Sequence, residues 1–390
     1  MIVAIILSAL GFFLTAAVTQ TKGLRLGGAI LVPTIVVYAL KDFTTLPVFL
    51  VSTAVAYLVL WQAKERTLVY GRDEFIVALA AGALLPVAGY LALRTFVPAI
   101  VDTNSVLLLG SILPGLAAYN VSQTKPEYRR QDLLYTAALV LGLILLGGLV
   151  ISPWTARAIG DLTPLVLFAR TADVAVLRGA VVDGYLAPNV EIKTTIVALM
   201  TVGMMLSELV RRGFGIRIGI ISMALLALFA LVSYWLLILF VLSFLVSLVA
   251  VWAIHHTTLL YGRVLISLGC GVGSLAALAF AMQLPVVRGM SALFVGVIAG
   301  VDAYAVHTTP PRERRIQPFL ALGVFVGMLL LVRTVVDPFR RGLIQELTVW
   351  HLVGGALVVA VCLLVAYSLR IPEPADEDVF SASVLSGGDG

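Results

Sequence analysis

The sequence contains few charged residues and only two cysteines, and this composition limits the classes of protein that it can encode. Of its 390 residues, 12% are charged and 61% are hydrophobic, whereas a soluble domain is about 25% charged. The mean hydropathy is +1.08. These values exclude an ordinary soluble protein and predict a chain that lies mostly in lipid. Because the apolar runs are long and unbroken, we expect spanning α-helices rather than the strands of a barrel.

Residues that carry catalysis are also scarce. None of the five lysines follows a glycine, so the chain has no GxxxxGK[ST] motif to hold phosphates, and any ATP chemistry is expected in another chain. The two cysteines, Cys270 and Cys362, lie inside apolar runs and indicate neither a disulfide framework nor a metal site. No His, Asp and Glu residues converge inside the runs. We therefore predict no catalytic residues, no cofactor and no metal. The glycine-rich "GCGVGS" at 269–274 follows no strand and predicts close helix packing.

Thirteen apolar runs are candidate spanning segments. They cover residues 1–18, 26–40, 44–62, 75–93, 104–120, 133–152, 194–210, 218–233, 235–254, 264–283, 290–306, 317–333 and 347–369. The first run precedes the first positive charge, Lys22, which is the reverse of the charge order in a cleavable signal peptide. The run at 104–120 contains Pro114 and Gly115 and is the first candidate for a re-entrant segment.

The basic residues predict the orientation of the chain in the cell membrane. With the N-terminus outside, 16 of the 26 lysines and arginines fall in cytoplasmic segments, in accord with the positive-inside rule. The same topology places the C-terminus in the cytoplasm. Arg340 and Arg341, in the loop at 334–346, are exceptions. The high pI near 9.3 is explained by these topology-setting arginines, so we expect no nucleic acid partner.

Three words recur in the same order along the chain. "GLRLG" at 23–27 matches "GIRIG" at 215–219, and "TLVYGR" at 67–72 matches "TLLYGR" at 258–263. "GLAAYNVSQTKPEYRR" at 115–130 matches "GVDAYAVHTTPPRERR" at 300–315. The offsets are close, so the sequence predicts a tandem duplication. Each unit has six runs, an even number, which makes the two repeats parallel rather than inverted.

The predicted fold is therefore an all-α polytopic membrane protein of about thirteen transmembrane helices, formed by two parallel six-helix repeats and one C-terminal helix. The first repeat is predicted at 1–152 and the second, diverged repeat at 194–335. Between them lies an extracytoplasmic linker at 153–193, with an interfacial helix near 164–178. The extra helix follows at 336–370, and a disordered acidic cytoplasmic tail at 371–390.

The first half resembles the membrane protein of poly-γ-glutamate synthesis, the PgsC/CapC type. The resemblance rests on Val32–Pro33, on Tyr70–Gly71–Arg72 and on Pro114–Gly115–Leu116–Ala117, which recur in this order in that family. It covers about 20–150 well and about 212–335 more weakly. The second copy keeps Tyr261–Gly262–Arg263 but has Leu225 and Ala299 where Pro33 and Pro114 stand. Family members hold one copy, whereas this chain holds two.

The resemblance implies a non-catalytic subunit of a capsule or exopolymer synthesis and export complex. Its partners would be a cytoplasmic ATP-dependent amide ligase of the CapB/PgsB type, a further membrane-anchored accessory subunit, the anionic polymer and the lipid bilayer. The alternative, from a different class, is a stand-alone secondary transporter of small organic anions. A membrane-embedded enzyme is disfavoured by the lack of converging polar residues.

The arginines of the repeated words are the candidate contacts with the polymer or a partner, because a guanidinium binds carboxylates bidentately. The alternative is that they only set topology and meet lipid headgroups. Gly71 and Gly262 would permit a backbone turn that a side chain would hinder. The predicted contacts are Arg25, Tyr70, Gly71, Arg72, Arg129, Arg130, Arg217, Tyr261, Gly262, Arg263, Arg314 and Arg315, and the predicted helix-break elements are Pro33, Pro114 and Gly115.

Other ionisable residues receive more modest interpretations. Asp302 and Glu208 lie near the cytoplasmic ends of runs and are expected to reach water, with pairing of Asp302 to an interfacial arginine as the alternative. His255 and His256 are placed at the interface rather than at a metal.

Overall fold

A computed structural model of the protein describes residues 1–67, 69, 71–96, 111–186, 193–216, 218–219 and 221–369. Within these residues the chain is helical, and the sole β feature is an isolated bridge between Ser233 and Arg341. The predicted all-α class is confirmed. The acidic tail at 371–390, predicted to be disordered, lies outside the described residues.

The described residues form fifteen α-helices and two short 3-10 helices. The α-helices are α1 Ile2–Lys22, α2 Leu31–Lys41, α3 Thr45–Arg66, α4 Arg72–Phe96, α5 Leu113–Gln123, α6 Pro126–Val150, α7 Pro153–Ile159, α8 Asp173–Arg178, α9 Lys193–Phe214, α10 Ser222–Val232, α11 Tyr234–Thr258, α12 Gly262–Ala281, α13 Gly289–Thr308, α14 Gln317–Val335 and α15 Val349–Ser368, and the 3-10 helices are Gly160–Leu162 and Glu313–Arg315.

Eight helices in the described part of the chain are long and apolar enough to cross a membrane. They are α1, α3, α6, α11, α12, α13, α14 with the 3-10 turn before it, and α15. The apolar helices α2 and α10 have 11 residues each, which is about 16 Å and half the thickness of a hydrocarbon core. The predicted number of about thirteen spans remains a prediction.

The helices pack in groups of three. Helices α3, α4 and α5 contact one another, as do α11, α12 and α13; helices α1, α2 and α6 form a third group, and α9, α10 and α14 a fourth. Across the halves of the chain, α1 packs on α12 and α4 on α9, and α15 packs on α14. The largest apolar cluster joins α1, α2, α12 and α13 through residues such as Phe12, Ile35 and Leu293.

Buried polar side chains support the irregular backbone between α1 and α2. Asp132 Oδ1 accepts hydrogen bonds from the backbone N–H of Arg25 at 2.6 Å and of Leu26 at 2.8 Å. Asn120 Nδ2 donates to the Gly27 carbonyl at 3.0 Å. Asp132 is 1% exposed and Asn120 3%. An unwound segment can lie at membrane depth only where the protein satisfies its backbone groups in this way.

The predicted helix-break prolines have different consequences in the two halves. Pro33 is the third residue of α2, where its missing N–H costs nothing. Helix α10 has Leu225 at the corresponding position and is just as short, so the proline is not required for the half-helix. Pro114 lies in the first turn of α5. Ala299, which corresponds to Pro114, lies in the middle of the continuous helix α13.

Gly115, predicted together with Pro114 as a break, has a packing role. A Cβ at Gly115 would lie 2.1 Å from the Ala78 carbonyl oxygen, and one at Gly82 would lie 2.2 Å from the Gly115 nitrogen. Helices α4 and α5 therefore cross with their backbones in contact. The "GCGVGS" stretch has the predicted role, because a Cβ at Gly273 would lie 2.4 Å from the Gly296 carbonyl oxygen of α13. Of the run at 104–120, residues up to 110 lie outside the described part.

The segment after α6 is packed against the bundle rather than being a free linker. Val166, Leu167 and Phe168 are buried in the main apolar cluster. The Met1 amino group donates to the Pro164 carbonyl at 3.0 Å, and Asp173 accepts from the backbone N–H of Phe43 at 2.8 Å. The predicted interfacial helix near 164–178 is present only as α8, because residues 164–172 are irregular. The segment thus covers the end of the bundle where α1 begins.

The loop after α14 has internal partners for one of its two unexpected arginines. The Arg341 carbonyl accepts from the backbone N–H of Tyr234 at 3.0 Å, and its guanidinium donates to the Pro285 carbonyl at 3.3 Å. Arg341 therefore binds the start of α11 and the end of α12. This contact offers a structural reason for a positive charge that the predicted topology does not favour.

Candidate functional site

The three repeated words meet at one end of the bundle, where α1, α3, α5 and α11 end and α4, α6 and α12 begin. We call this end the arginine face. Ten of the predicted contact residues lie on it in the described part of the chain, namely Arg25, Gly71, Arg72, Arg129, Arg130, Tyr261, Gly262, Arg263, Arg314 and Arg315. Tyr70 and Arg217 lie outside the described residues.

Arg72 is held in an ion-pair cluster that joins α4 to α9. Its Nε lies 3.0 Å from Glu208 Oε2, and Glu208 also pairs with Arg211 and, at 3.2 Å, with Arg212. Arg212 reaches Asp73 on α4 at 3.0 Å. Glu208 is 8% exposed, so its predicted access to water is wrong. A carboxylate bound by three guanidiniums is fixed in position.

An open groove of about 340 Å³ lies beside this cluster, between α4 and α9. Its walls are mostly apolar, with charged residues at its rim. The lining residues are Asp73, Ile76, Val77, Met204, Met205, Glu208, Leu209 and Arg212. The α4–α9 contact is therefore incomplete, with a space that side chains of the described residues do not fill.

A second buried carboxylate, Glu74, ties together α3, α4 and α5. It accepts a hydrogen bond from Gln123 at 2.6 Å and pairs with Lys64 at 3.2 Å. Glu74 is 5% exposed. Glu74 is not among the residues predicted from the sequence, although an acidic residue in the first turn of a helix is a recognisable stabilising signal.

Arg129 and Arg314 each satisfy carbonyl groups at the end of a helix. Arg129 donates to the Thr124 carbonyl at 3.0 Å and to the Ser122 carbonyl at 3.4 Å, at the end of α5. Arg314 donates to the Thr309 carbonyl at 3.0 Å and the His307 carbonyl at 2.9 Å, at the end of α13. These acceptors occupy corresponding positions of the predicted repeat. Cations at such carbonyls stabilise helix ends.

Arg25 and Arg263 form no ion pair with a carboxylate in the part of the chain that the structure describes. Both are half-buried, and the electrostatic neighbours of Arg263 are Arg25, Tyr119 and Asp132. Neither arginine forms an ion pair, nor does either side chain form a hydrogen bond, with the described residues. The backbone N–H of Arg25 donates to Asp132, and its carbonyl accepts from the Gly28 N–H at 2.9 Å. The two guanidiniums are thus like charges within electrostatic range of each other, without an ion-pair partner among the described residues.

The remaining predicted residues divide into backbone and surface roles. Gly71 has φ of 62° and Gly262 has φ of 63°, which is the left-handed region that favours glycine. Both glycines therefore make the turn that the sequence predicts, directly before α4 and at the start of α12. Tyr261 is 81% exposed. Arg130 and Arg315 are also exposed and make no ion pair with described residues.

The structure brings together His255 and His307, which are 52 residues apart in the sequence. His307 Nε2 lies 2.7 Å from His255 Nδ1, and the His256 ring is 6.0 Å from that of His255. Both bonded histidines lie near the ends of helices that finish at the arginine face, which is the signal that could have linked them. Among the described residues no group of three or more metal-binding side chains forms.

Asp302 is buried and lies away from any arginine of the described residues. It is 7% exposed, and neither carboxylate oxygen has a hydrogen-bond partner there. Its closest polar surroundings are Ser222, at the start of α10, and the backbone at Gly219. Asp302 therefore does not reach water and forms no ion pair with an arginine of the described residues.

The fold and the arginine face define an all-helical membrane protein with a charged, internally braced end. Residues 10–130, about a third of the chain, match the family described as Capsule biosynthesis CapC. The resemblance to that type is confirmed over this region, which includes Arg25, Arg72, Arg129 and Arg130. Comparison with curated proteins and with solved structures gave no match.

Proposed function

We propose that the protein is an integral membrane subunit of a poly-γ-glutamate capsule synthesis and export complex. It docks an ATP-dependent amide ligase of the CapB/PgsB type at the arginine face and passes the anionic polymer outward. A further membrane-anchored accessory subunit completes the complex. The observation that carries the proposal is the CapC match at 10–130 together with the convergence of the repeated arginine words on one end of the bundle.

The chemistry of the arginine face supports a carboxylate-rich partner. Each residue of a γ-linked glutamate chain bears one free carboxylate, and a guanidinium binds that group with two parallel hydrogen bonds. Arg130 and Arg315 offer exposed charges, and Arg25 and Arg263 offer half-buried ones. The positive-inside distribution of charge orients this face to the cytoplasm, with the N-terminus outside.

The proposal includes the tandem duplication, because several corresponding positions of the two halves have similar surroundings. The group α3, α4 and α5 corresponds to α11, α12 and α13, and α1, α2 and α6 correspond to α9, α10 and α14. Arg129 and Arg314 bind matching carbonyls, and Gly71 and Gly262 share one backbone conformation. The contact of α1 with α12 mirrors that of α9 with α4, as a two-fold axis along the membrane normal requires.

Deletion of the gene in a cell that makes the polymer tests the proposed function. We expect extracellular polyglutamate to be lost while the ligase is still expressed, and the tagged chain to co-purify with the ligase. A variant that lacks only residues 371–390 serves as a control for nonspecific effects of altering the chain. Unchanged extracellular polymer after deletion would overturn the proposal.

The short helices α2 and α10 favour one second candidate, a stand-alone secondary transporter of small organic anions. Half-helices with an unwound approach are typical of transporter binding sites, and α2 and its approach have this form. This candidate predicts uptake of small dicarboxylates by the purified chain in liposomes without any ligase. Absence of such uptake, in liposomes where the chain is correctly folded, removes it.

A further inference from the structure

Arg72 and Arg263 correspond in the predicted repeat, yet their surroundings differ. Arg72 is the first residue of α4 and Arg263 the second of α12, and a left-handed glycine directly precedes each. Both helices that begin at these arginines pack on the other half of the chain. Helix α4 packs on α9, and α12 packs on α1. The two arginines therefore sit in matching places at the two contacts between the halves.

At the Arg72 contact, carboxylates of the chain itself neutralise the positive charge. Glu208 of α9 lies 3.0 Å from Arg72, and Asp73 follows Arg72 in the first turn of α4. When the alignment of 215–219 with 23–27 is extended toward the N-terminus without a gap, Glu208 corresponds to Ala16. The alignment of the second word places Val264 opposite Asp73. The Arg263 contact thus lacks both of these carboxylates.

At the contact of α12 with α1, a second arginine, Arg25, adds its positive charge to that of Arg263. Arg25 follows the end of α1 and lies near enough to Arg263 for the two charges to repel. Asp132 is the carboxylate nearby, but its Oδ1 is bound by the backbone N–H groups of Arg25 and Leu26. It forms no ion pair with either arginine. Holding two unpaired cations in a half-buried place is unfavourable unless an anion joins them.

We propose that Arg25 and Arg263 bind a carboxylate of a ligand, in the place that the Glu208 side chain takes at Arg72. The protein then has two corresponding arginine sites, one filled from within and one open. The identity of the ligand rests on the proposed function: the free carboxylate of one residue in a γ-linked glutamate chain has the chemistry of the Glu208 side chain. A lipid phosphate shares the anionic oxygens, and the experiment separates the two.

The test uses the full chain in nanodiscs of zwitterionic lipid, titrated with γ-linked triglutamate. We expect Arg25→Gln and Arg263→Gln to weaken binding by about tenfold to a hundredfold, the range for charge-assisted hydrogen bonds. Arg66→Gln, exposed at the end of α3 on the same face and not a predicted contact, is expected to leave binding unchanged. Ala16→Glu supplies the missing internal carboxylate and is expected to block the site, whereas Ala16→Gln adds the same bulk without charge and is expected to leave it open.

Several results would overturn the proposal. Equal binding by Ala16→Glu and Ala16→Gln, or wild-type binding by the Arg25 and Arg263 variants, shows that this pair does not hold the ligand. Because Ala16 is buried, its variants are compared only where gel filtration shows an intact protein; otherwise the arginine variants decide. The site is assigned to a lipid headgroup instead if two results occur together. Triglutamate does not bind, and an anionic lipid that the wild type retains is released by Arg263→Gln. Triglutamate binding in a protein whose gene deletion leaves polymer export intact supports the site and contradicts only the proposed function.

Discussion

Arg72 and Glu208 lie 136 residues apart in the sequence and 3.0 Å apart in the structure. Their contact joins α4 of the first half to α9 of the second. Glu208 also binds Arg211 and Arg212 of its own helix, so one buried carboxylate fixes three positive charges. The arginine face is thereby braced across the two halves rather than formed by independent surface side chains.

Replacement of Glu208 by glutamine is expected to destabilise the folded protein by about 1–3 kcal/mol, because it removes the counter-charge of the partly buried Arg72 and Arg211. The measured quantity is the unfolding temperature in detergent, taken as the temperature at which the monodisperse gel-filtration peak is lost. Glu127→Gln is the matched control, since Glu127 is exposed at the start of α6 and forms no ion pair with described residues. Equal unfolding temperatures for both variants would contradict a bracing role for Glu208.

Alanine at Gly71 or Gly262 is expected to cost about 1–2 kcal/mol each, because an L-residue is strained at these positive φ values. A Cβ at either position meets nothing within 4 Å, so the cost is one of backbone conformation alone. The unfolding midpoint in detergent measures it. Gly142→Ala, in the interior of α6 and equally free of neighbours, is expected to be neutral or stabilising. A neutral Gly262→Ala would show that the turn tolerates a side chain.

Alanine at Gly115 is expected to prevent normal assembly, because the new Cβ would lie 2.1 Å from the Ala78 carbonyl oxygen. The α4–α5 crossing must open, which costs about 1–3 kcal/mol or more for an overpacked core. The yield of folded protein from membranes and its thermal stability report the effect. Gly327→Ala in α14, where nothing lies within 4 Å, controls for loss of a helical glycine. A stable Gly115→Ala protein would argue against a close crossing.

Arg129 and Arg130 are adjacent and are expected to separate structure from function. Arg129→Ala removes two hydrogen bonds to the end of α5 and is expected to destabilise by about 1–3 kcal/mol. Arg130→Ala, at an exposed position, is expected to keep wild-type stability and, under the proposed function, to lower extracellular polymer severalfold. Unfolding temperature and polymer yield are measured on the same variants. Full polymer yield with Arg130→Ala would exclude that side chain as a polymer contact.

Much of the fold follows from local sequence. Each of the thirteen apolar runs overlaps a helix that the structure describes, because a chain in lipid must bond its backbone within the segment. The glycines of 269–274 also pack as predicted. Pro33 and Leu225 show the limit, since both occur in half-helices of equal length, so the residue type at this position does not decide where the helix begins.

The candidate site was less predictable than the helices. The sequence selected Arg72 and Arg263 as a pair, but it could not show that Arg72 pairs with an internal carboxylate whereas Arg263 pairs with none among the described residues. It also missed Glu74 and the contact of His255 with His307. Each of these depends on which helix lies beside which, and that information is not contained in the spacing of residues along one helix.

The sequence by itself determined the membrane class, the helical segments, the repeated words and the resemblance of the first half to CapC. Hydrophobic length and backbone hydrogen bonding act within twenty or so residues, so local composition is sufficient for them. Only the tertiary structure decided which charges are paired. Arg72 meets Glu208, and Arg263 lies within electrostatic range of Arg25, across more than a hundred residues of sequence, because the packing of α4 on α9 and of α12 on α1 brings those helix ends together.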